Sequence, residues 1–177
     1  MPTAHKSPKT PATPDRESLL TMARVAAQQA YAPHSKFRVG AAVVVRTARG
    51  PRIVTGANVE NASYGLALCA ERAALAAACA LPDAIRPTER FARMATAPEI
   101  SHVALACIDA PADASLASRM PCGACRQWFA ELAPHATYYV DGHPRNLTLA
   151  DLLPDAFQLE PNAERPTDDT SASQPTR

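Results

Sequence analysis

Cys69-Ala70-Glu71 and Pro121-Cys122-Gly123-Ala124-Cys125 are the segments of this sequence whose residue types and spacing suit chemistry. A catalytic zinc ion takes three protein ligands and keeps a fourth position for water. Cys122 and Cys125 stand three apart at an expected helix start, so both can grip one ion. Amides at a helix N-terminus favour the thiolate forms that metal binding needs. Cys69 begins a second expected helix and is the candidate third ligand on the same ground. Glu71 lies two residues further and does not easily share the bond direction of Cys69. It suits the open position, where a carboxylate can take a proton from the water that zinc activates. Cys79 and Cys107 lie in apolar stretches, and burial as small hydrophobes is their expected state. A redox Cys-x-x-Cys pair wants a thioredoxin-like setting and leaves Cys69 and Glu71 without a role. A closed structural zinc site wants a fourth ligand, and His34, His102, His135 and His143 are isolated in the sequence.

These groups need elements to position them. Leu19, Leu20, Met22, Ala23, Val25, Ala26 and Ala30 recur at helical spacing, with Thr13 and Pro14 as expected cap and first-turn residues. Valine-rich Arg38 to Val45 predicts a strand, Ala48 to Pro51 a turn, and Arg52 to Gly56 a returning strand. Residues 57–67 predict a loop, and alanine-rich Leu68 to Ala80 a helix. Leu81 to Pro98 has no clear period. Ile100 to Ile108 predicts a buried strand, Pro121 to Ala133 a helix ended by Pro134, and Thr137 to Val140 a strand before the turn Asp141-Gly142. Thr148 to Phe157 predicts a short helix, with Thr148 and Asp151 at capping-box spacing. The order α-β-β-α-β-α-β-α implies an α/β fold in which helices cover a sheet.

The chain has 177 residues, which suits one domain. Hydrophobic residues at 47% can supply a packed core. A formal net charge of +1 argues against a broad nucleic-acid surface. No apolar run approaches the ~18 residues of a membrane span. Met1 to Pro14 lacks the apolar stretch of a secretory signal. Five cysteines, an odd number and unevenly spaced, read as reduced thiols of an intracellular, cytoplasmic protein. The proline-rich segment 1–14 and the polar tail 161–177 are expected to be disordered extensions around a catalytic body at 15–160.

Five blocks in order resemble the small, homotetrameric cytidine deaminases. They are Ala30 to Ala42, Gly56 to Tyr64, Cys69 to Ala74, Pro121 to Gln127 and Leu152 to Phe157. The Cys-x-Glu and Pro-Cys-x-x-Cys layout also matches the general signature of zinc deaminases in its three-cysteine version. The resemblance implies a three-layer sandwich with a mixed β-sheet covered by helices. It implies Zn²⁺ on Cys69, Cys122 and Cys125, Glu71 as the proton-transferring residue, and Arg72 bonded to the ligand sulfurs. Asn58 and Glu60 would bind the ribose hydroxyls, Phe37 would pack on base or sugar, and Tyr64 would lie near the sugar. The backbone of Ala70 would meet the pyrimidine edge. Phe157 would reach the site of a neighbouring subunit. Taken without the resemblance, Asn58 and Glu60 read first as solvated loop residues, Phe37 at least equally as core, and Arg72 as a solvated helix residue. The sequence departs from the family pattern at His34, Gly65, Ala67 and Gln158, and in the longer stretch 81–98.

The implied activity is hydrolytic deamination of the free nucleosides cytidine and 2′-deoxycytidine in pyrimidine salvage, with no nucleic-acid or membrane partner. The competing readings are a deaminase of blasticidin S or of cytosines in nucleic acid, and a non-catalytic zinc protein of the same fold. Asn58-Val59-Glu60-Asn61 favours a ribose-reading site over the blasticidin type, and the presence of Glu71 favours an enzyme.

Overall fold

A computed structural model describes residues 12–86 and 96–158. The expected disorder of 1–11 and 161–177 lies outside the described residues, as do 87–95 of the stretch without a clear period and 159–160 of the expected body. The principal elements follow the expected order: α1 (Arg16–Ala27), β1 (Val39–Thr47), β2 (Gly50–Ala57), α2 (Ala70–Cys79), β3 (Ile100–Cys107), α3 (Gly123–Leu132), β4 (Thr137–Val140) and α4 (Leu149–Leu152). Two short 3₁₀ turns, Tyr64–Leu66 and Leu116–Arg119, stand before the segments that carry the cysteines.

Among the boundaries that differ from expectation, three have a clear local reason. Asp15 caps α1, its side chain accepting from the Ser18 N–H, so Thr13 and Pro14 lie outside the helix. The hairpin turn is tighter than expected because Gly50 adopts φ 109° and lets β2 begin there. Pro51 is tolerated in β2 because that strand is an edge. Helix α4 stops after four residues. Pro154 disfavours helix at Leu153, which leaves the helical region at φ −147° and ψ 77°, and Asp155 turns left-handed at φ 51°. Its start is as expected, with the full Thr148–Asp151 capping box formed.

The sheet order is β2-β1-β3-β4. β1 runs antiparallel to β2 and β3, while β3 and β4 are parallel, so the sheet is mixed. Side chains alternate across it. Ala41, Val43, Val45, Val103, Leu105, Tyr138 and Val140 face α2 and α3 in the larger core. Ala42, Val44, Ala104, Ala106 and Tyr139 face Leu19, Leu20 and Ala23 of α1 in the smaller one. Strand parity therefore decides which helix layer a residue meets, and the three layers of the expected sandwich are present.

Two glycines set the distance between layers. A Cβ at Gly40 would stand 2.0 Å from the Ala23 carbonyl oxygen of α1. A Cβ at Gly56 would stand 2.5 Å from the Ala74 nitrogen and 2.6 Å from the Ala70 oxygen. The second contact seats the first turns of α2, which carry Glu71, directly on β2.

Candidate active site

Cys69 and Cys122 are the N-cap residues of α2 and α3. Neither caps its helix through its side chain, so both sulfurs are left to other partners. Pro121 disfavours helix at the residue before it, and Met120 is extended at ψ 149°. Leu68 pairs with Val59 and delivers the chain to Cys69 in extended form. Cys125, in the first turn of α3, is fully buried. The Sγ atoms of Cys69 and Cys122 are 3.9 Å apart, and those of Cys122 and Cys125 3.5 Å. All three ligand atoms lie within 4.8 Å of one another. Three sulfurs on a tetrahedral zinc at ~2.3 Å stand about 3.8 Å apart, so the cluster fits that ion. All five cysteines are free thiols.

The surroundings favour charge on this cluster. The Cys69 thiol is pulled down to about 5, first by a hydrogen bond from Cys125, with further help from Arg72 and Cys122. Cys125, the partner that keeps its proton, is shifted upward. Arg72 places Nη2 at 3.7 Å from Cys69 Sγ and at 2.9 Å from the Ala67 carbonyl oxygen. Its Nε is buried without a hydrogen-bond partner. A cation tied to the backbone beside the sulfurs offsets the net negative charge that three thiolates leave on one divalent ion.

Glu71 is only 4% exposed. Burial, then the Cys69 thiolate, pushes its carboxyl up to about 7, against hydrogen bonds from its own backbone and from Cys125 and, least, the charge of Arg72. A carboxyl poised near neutrality can both accept and return a proton.

Glu71, Cys69, Ala70 and Cys122 line a cavity of about 420 Å³ with Phe37 and Asn58. The structure thus gathers six of the expected residues in one cavity and brings Cys125 to its metal cluster. Ser35, Val39, Leu105, Cys107, Ser118 and Met120 complete the wall and were not expected there from the sequence. Parity signals three of them: Val39, Leu105 and Cys107 share the strand face that meets α2 and α3. Cys107 is buried as expected, and it also faces the cavity. Ser118 and Met120 arrive from a loop that has no periodic signal.

Asn58 Oδ1 accepts from the Val39 N–H at 2.8 Å and its Nδ2 donates to the Phe37 carbonyl at 3.0 Å. One N–H and one lone pair remain for a ligand. Glu60 does not line the cavity. Its carboxylate accepts from the backbone of His34 and Ser35 and from the Ser35 hydroxyl, which is on the wall. Tyr64 is 82% exposed and Phe157 64%, both outside this cavity. The Phe157 carbonyl is held by Gln127 Nε2 at 3.0 Å.

A mixed sheet between helix layers, with zinc-competent thiols at two helix starts, is the architecture of a zinc-binding deaminase domain. Residues 13–141 match the family described as the cytidine and deoxycytidylate deaminase zinc-binding region, and the chain belongs to that family. It is 42% identical over 135 residues to the cytidine deaminase of Mycobacterium tuberculosis, covering 76% of this chain and 84% of that one. It is 38% identical over 150 residues to the cytidine deaminase of Halalkalibacterium halodurans, covering 82% and 96%. Among solved structures, the cytidine deaminase of Burkholderia pseudomallei superposes with a TM-score of 0.62 at 38% identity, over 81% of this chain and 99% of that one. The Mycobacterium tuberculosis enzyme gives 0.60 at 36% identity, over 83% and 100%.

Proposed function

We propose that the chain converts cytidine and 2′-deoxycytidine, with water, to uridine and 2′-deoxyuridine plus ammonia. The observation that carries this reading is a buried glutamate at a cavity wall beside three clustered cysteine sulfurs. Cys69, Cys122 and Cys125 would hold Zn²⁺, which when bound supplies the Lewis acidity that makes water a nucleophile near neutral pH. Glu71 takes a proton from the attacking water and delivers it to ring N3, so that C4 becomes electrophilic. It then takes the proton of the new C4 hydroxyl and passes it to the amino group, which leaves as ammonia as the C4 carbonyl forms. Arg72 keeps the sulfurs in place and tempers their charge.

Asn58 has capacity left for a ribose hydroxyl, and Glu60 supports the same end of the cavity through Ser35. Phe37 packs on the ligand, and the Ala70 backbone meets the pyrimidine edge. A substrate panel tests the reading. Cytidine and deoxycytidine should be consumed at least about 100-fold faster than free cytosine, since the polar groups built for the sugar would stay unpaired. Preferential turnover of blasticidin S or of single-stranded nucleic acid would replace it.

The chain assembles in this reading as a homotetramer in which Phe157, exposed on its own protomer, stacks in a neighbour's site, with Tyr64 near the sugar. Exposed Tyr31, Val59, Tyr64 and Leu66 support a self-associating surface. Sedimentation should return four chain masses, and a monomer active at assay concentration would contradict the assembly. The work of such an enzyme is pyrimidine salvage in the cytoplasm, where ligand thiols stay reduced. Among the described residues, no helix is long and apolar enough to cross a membrane.

A further inference from the structure

Arg38 and Asp109 make a contact that neither the metal cluster nor the proton transfers require. The Asp109 carboxylate accepts three hydrogen bonds from this one arginine. Oδ2 takes the backbone N–H at 2.7 Å and Nε at 2.9 Å, and Oδ1 takes Nη2 at 2.6 Å. The Ile108 N–H returns a bond to the Arg38 carbonyl at 3.1 Å. A planar guanidinium can grip both carboxylate oxygens at once, whereas a lysine cannot.

Exposed ion pairs add little to stability, so what matters is what this one joins. Arg38 sits between Phe37 and Val39, and both line the cavity. Asp109 lies two residues after Cys107, also on the wall, and opens the loop that returns with Ser118 and Met120. Phe37 precedes β1 and follows Lys36, which bends left-handed at φ 57°. No strand pairing fixes Phe37 itself. Glu60 holds residues 34 and 35, and Asn58 holds the Phe37 carbonyl and the Val39 N–H. Those bonds fix the segment from one side. On the other, the Val39–Cys107 strand pairing and the Ile108–Arg38 backbone bond hold it to β3, and the Arg38–Asp109 pair adds the side-chain anchor at the start of the β3 loop.

We propose that Arg38 and Asp109 are a positioning pair that locks two walls of the cavity together and thereby sets nucleoside affinity. This rests on the nucleoside-deaminase reading above. The pair touches neither Glu71 nor the cysteines, so it acts on binding more than on proton transfer.

The test compares wild type with R38A, D109A, D109N and the double variant R38A/D109A. It reads kcat and KM for cytidine, the calorimetric Kd for uridine, and Tm. Each alanine variant should raise KM and the uridine Kd about tenfold while kcat stays within about twofold. D109N keeps an acceptor for the Arg38 N–H and should fall between wild type and D109A. The double variant should match the single ones, near tenfold, rather than their product of about a hundredfold. Unchanged KM and Kd in active variants would overturn the proposal. So would a fall in kcat or Tm with KM unmoved, which marks a merely structural contact. A wild type that neither turns over cytidine nor binds uridine would remove the functional reading and the proposal with it.

Discussion

Glu71→Gln should retain one zinc per chain and lose at least about 10⁴-fold in kcat, roughly 5.4 kcal/mol of barrier. The size follows from its double duty. A single positioned acid or base contributes ~10²–10⁴-fold, and Glu71 serves both as base toward water and as acid toward the leaving group. The substitution keeps the shape of the side chain and removes the transferable proton. Glutamine is neutral, so burying it costs less than burying a carboxylate, and Tm should not fall. Zinc should remain because Glu71 is not a member of the sulfur cluster. Zinc content by atomic absorption and single-turnover kinetics check both halves. Turnover within tenfold of wild type would remove Glu71 from the chemistry. Loss of the metal would make it a ligand.

Cys125→Ser should have the second large effect, and it should act on the metal rather than on the proton. Cys125 is buried in the first turn of α3, with its sulfur 3.5 Å from that of Cys122. Serine changes little in volume but exchanges a soft thiolate for a hydroxyl that does not ionise at neutral pH. Two thiolates then remain, and zinc affinity should drop by at least about 100-fold, since even the groups that merely orient ligands are worth 10–100-fold. Added zinc should raise the Tm of wild type, because an ion that binds only the folded chain stabilises it, and should leave that of the variant almost unmoved. Cys79→Ser is the control. That residue ends α2, outside the cluster, and its variant should bind zinc normally. Stoichiometric zinc in Cys125→Ser at low metal concentration would show that two cysteines suffice.

The chain announced its elements well where periodicity was strong and less well where a single bond or backbone angle decided. Short apolar runs, rich in valine in β1, made β1 and β3 legible, and the thiols at Cys69 and Cys122 marked two helix starts. The α1 boundary depended on one Asp15–Ser18 bond, and α4 on how Pro154 and Asp155 bend the backbone. At the site, cysteine spacing carried the metal cluster because one ion imposes short distances on its ligands. The cavity wall was harder to read. Ser118 and Met120 are brought in by a loop, and Glu60 spends its carboxylate on the backbone at 34–35, a pairing across 26 positions that no local pattern encodes. Phe157 is exposed on its own chain, so a role for it depends on a second copy.

The most direct test follows uridine and ammonia from cytidine with zinc-replete protein, and repeats the measurement after the metal is stripped and restored. The replete protein should release the two products in equal amounts, the stripped protein none, and activity should recover when zinc returns. Fully zinc-loaded protein that releases no ammonia from cytidine or deoxycytidine, or stripped protein that works unimpaired, would contradict it.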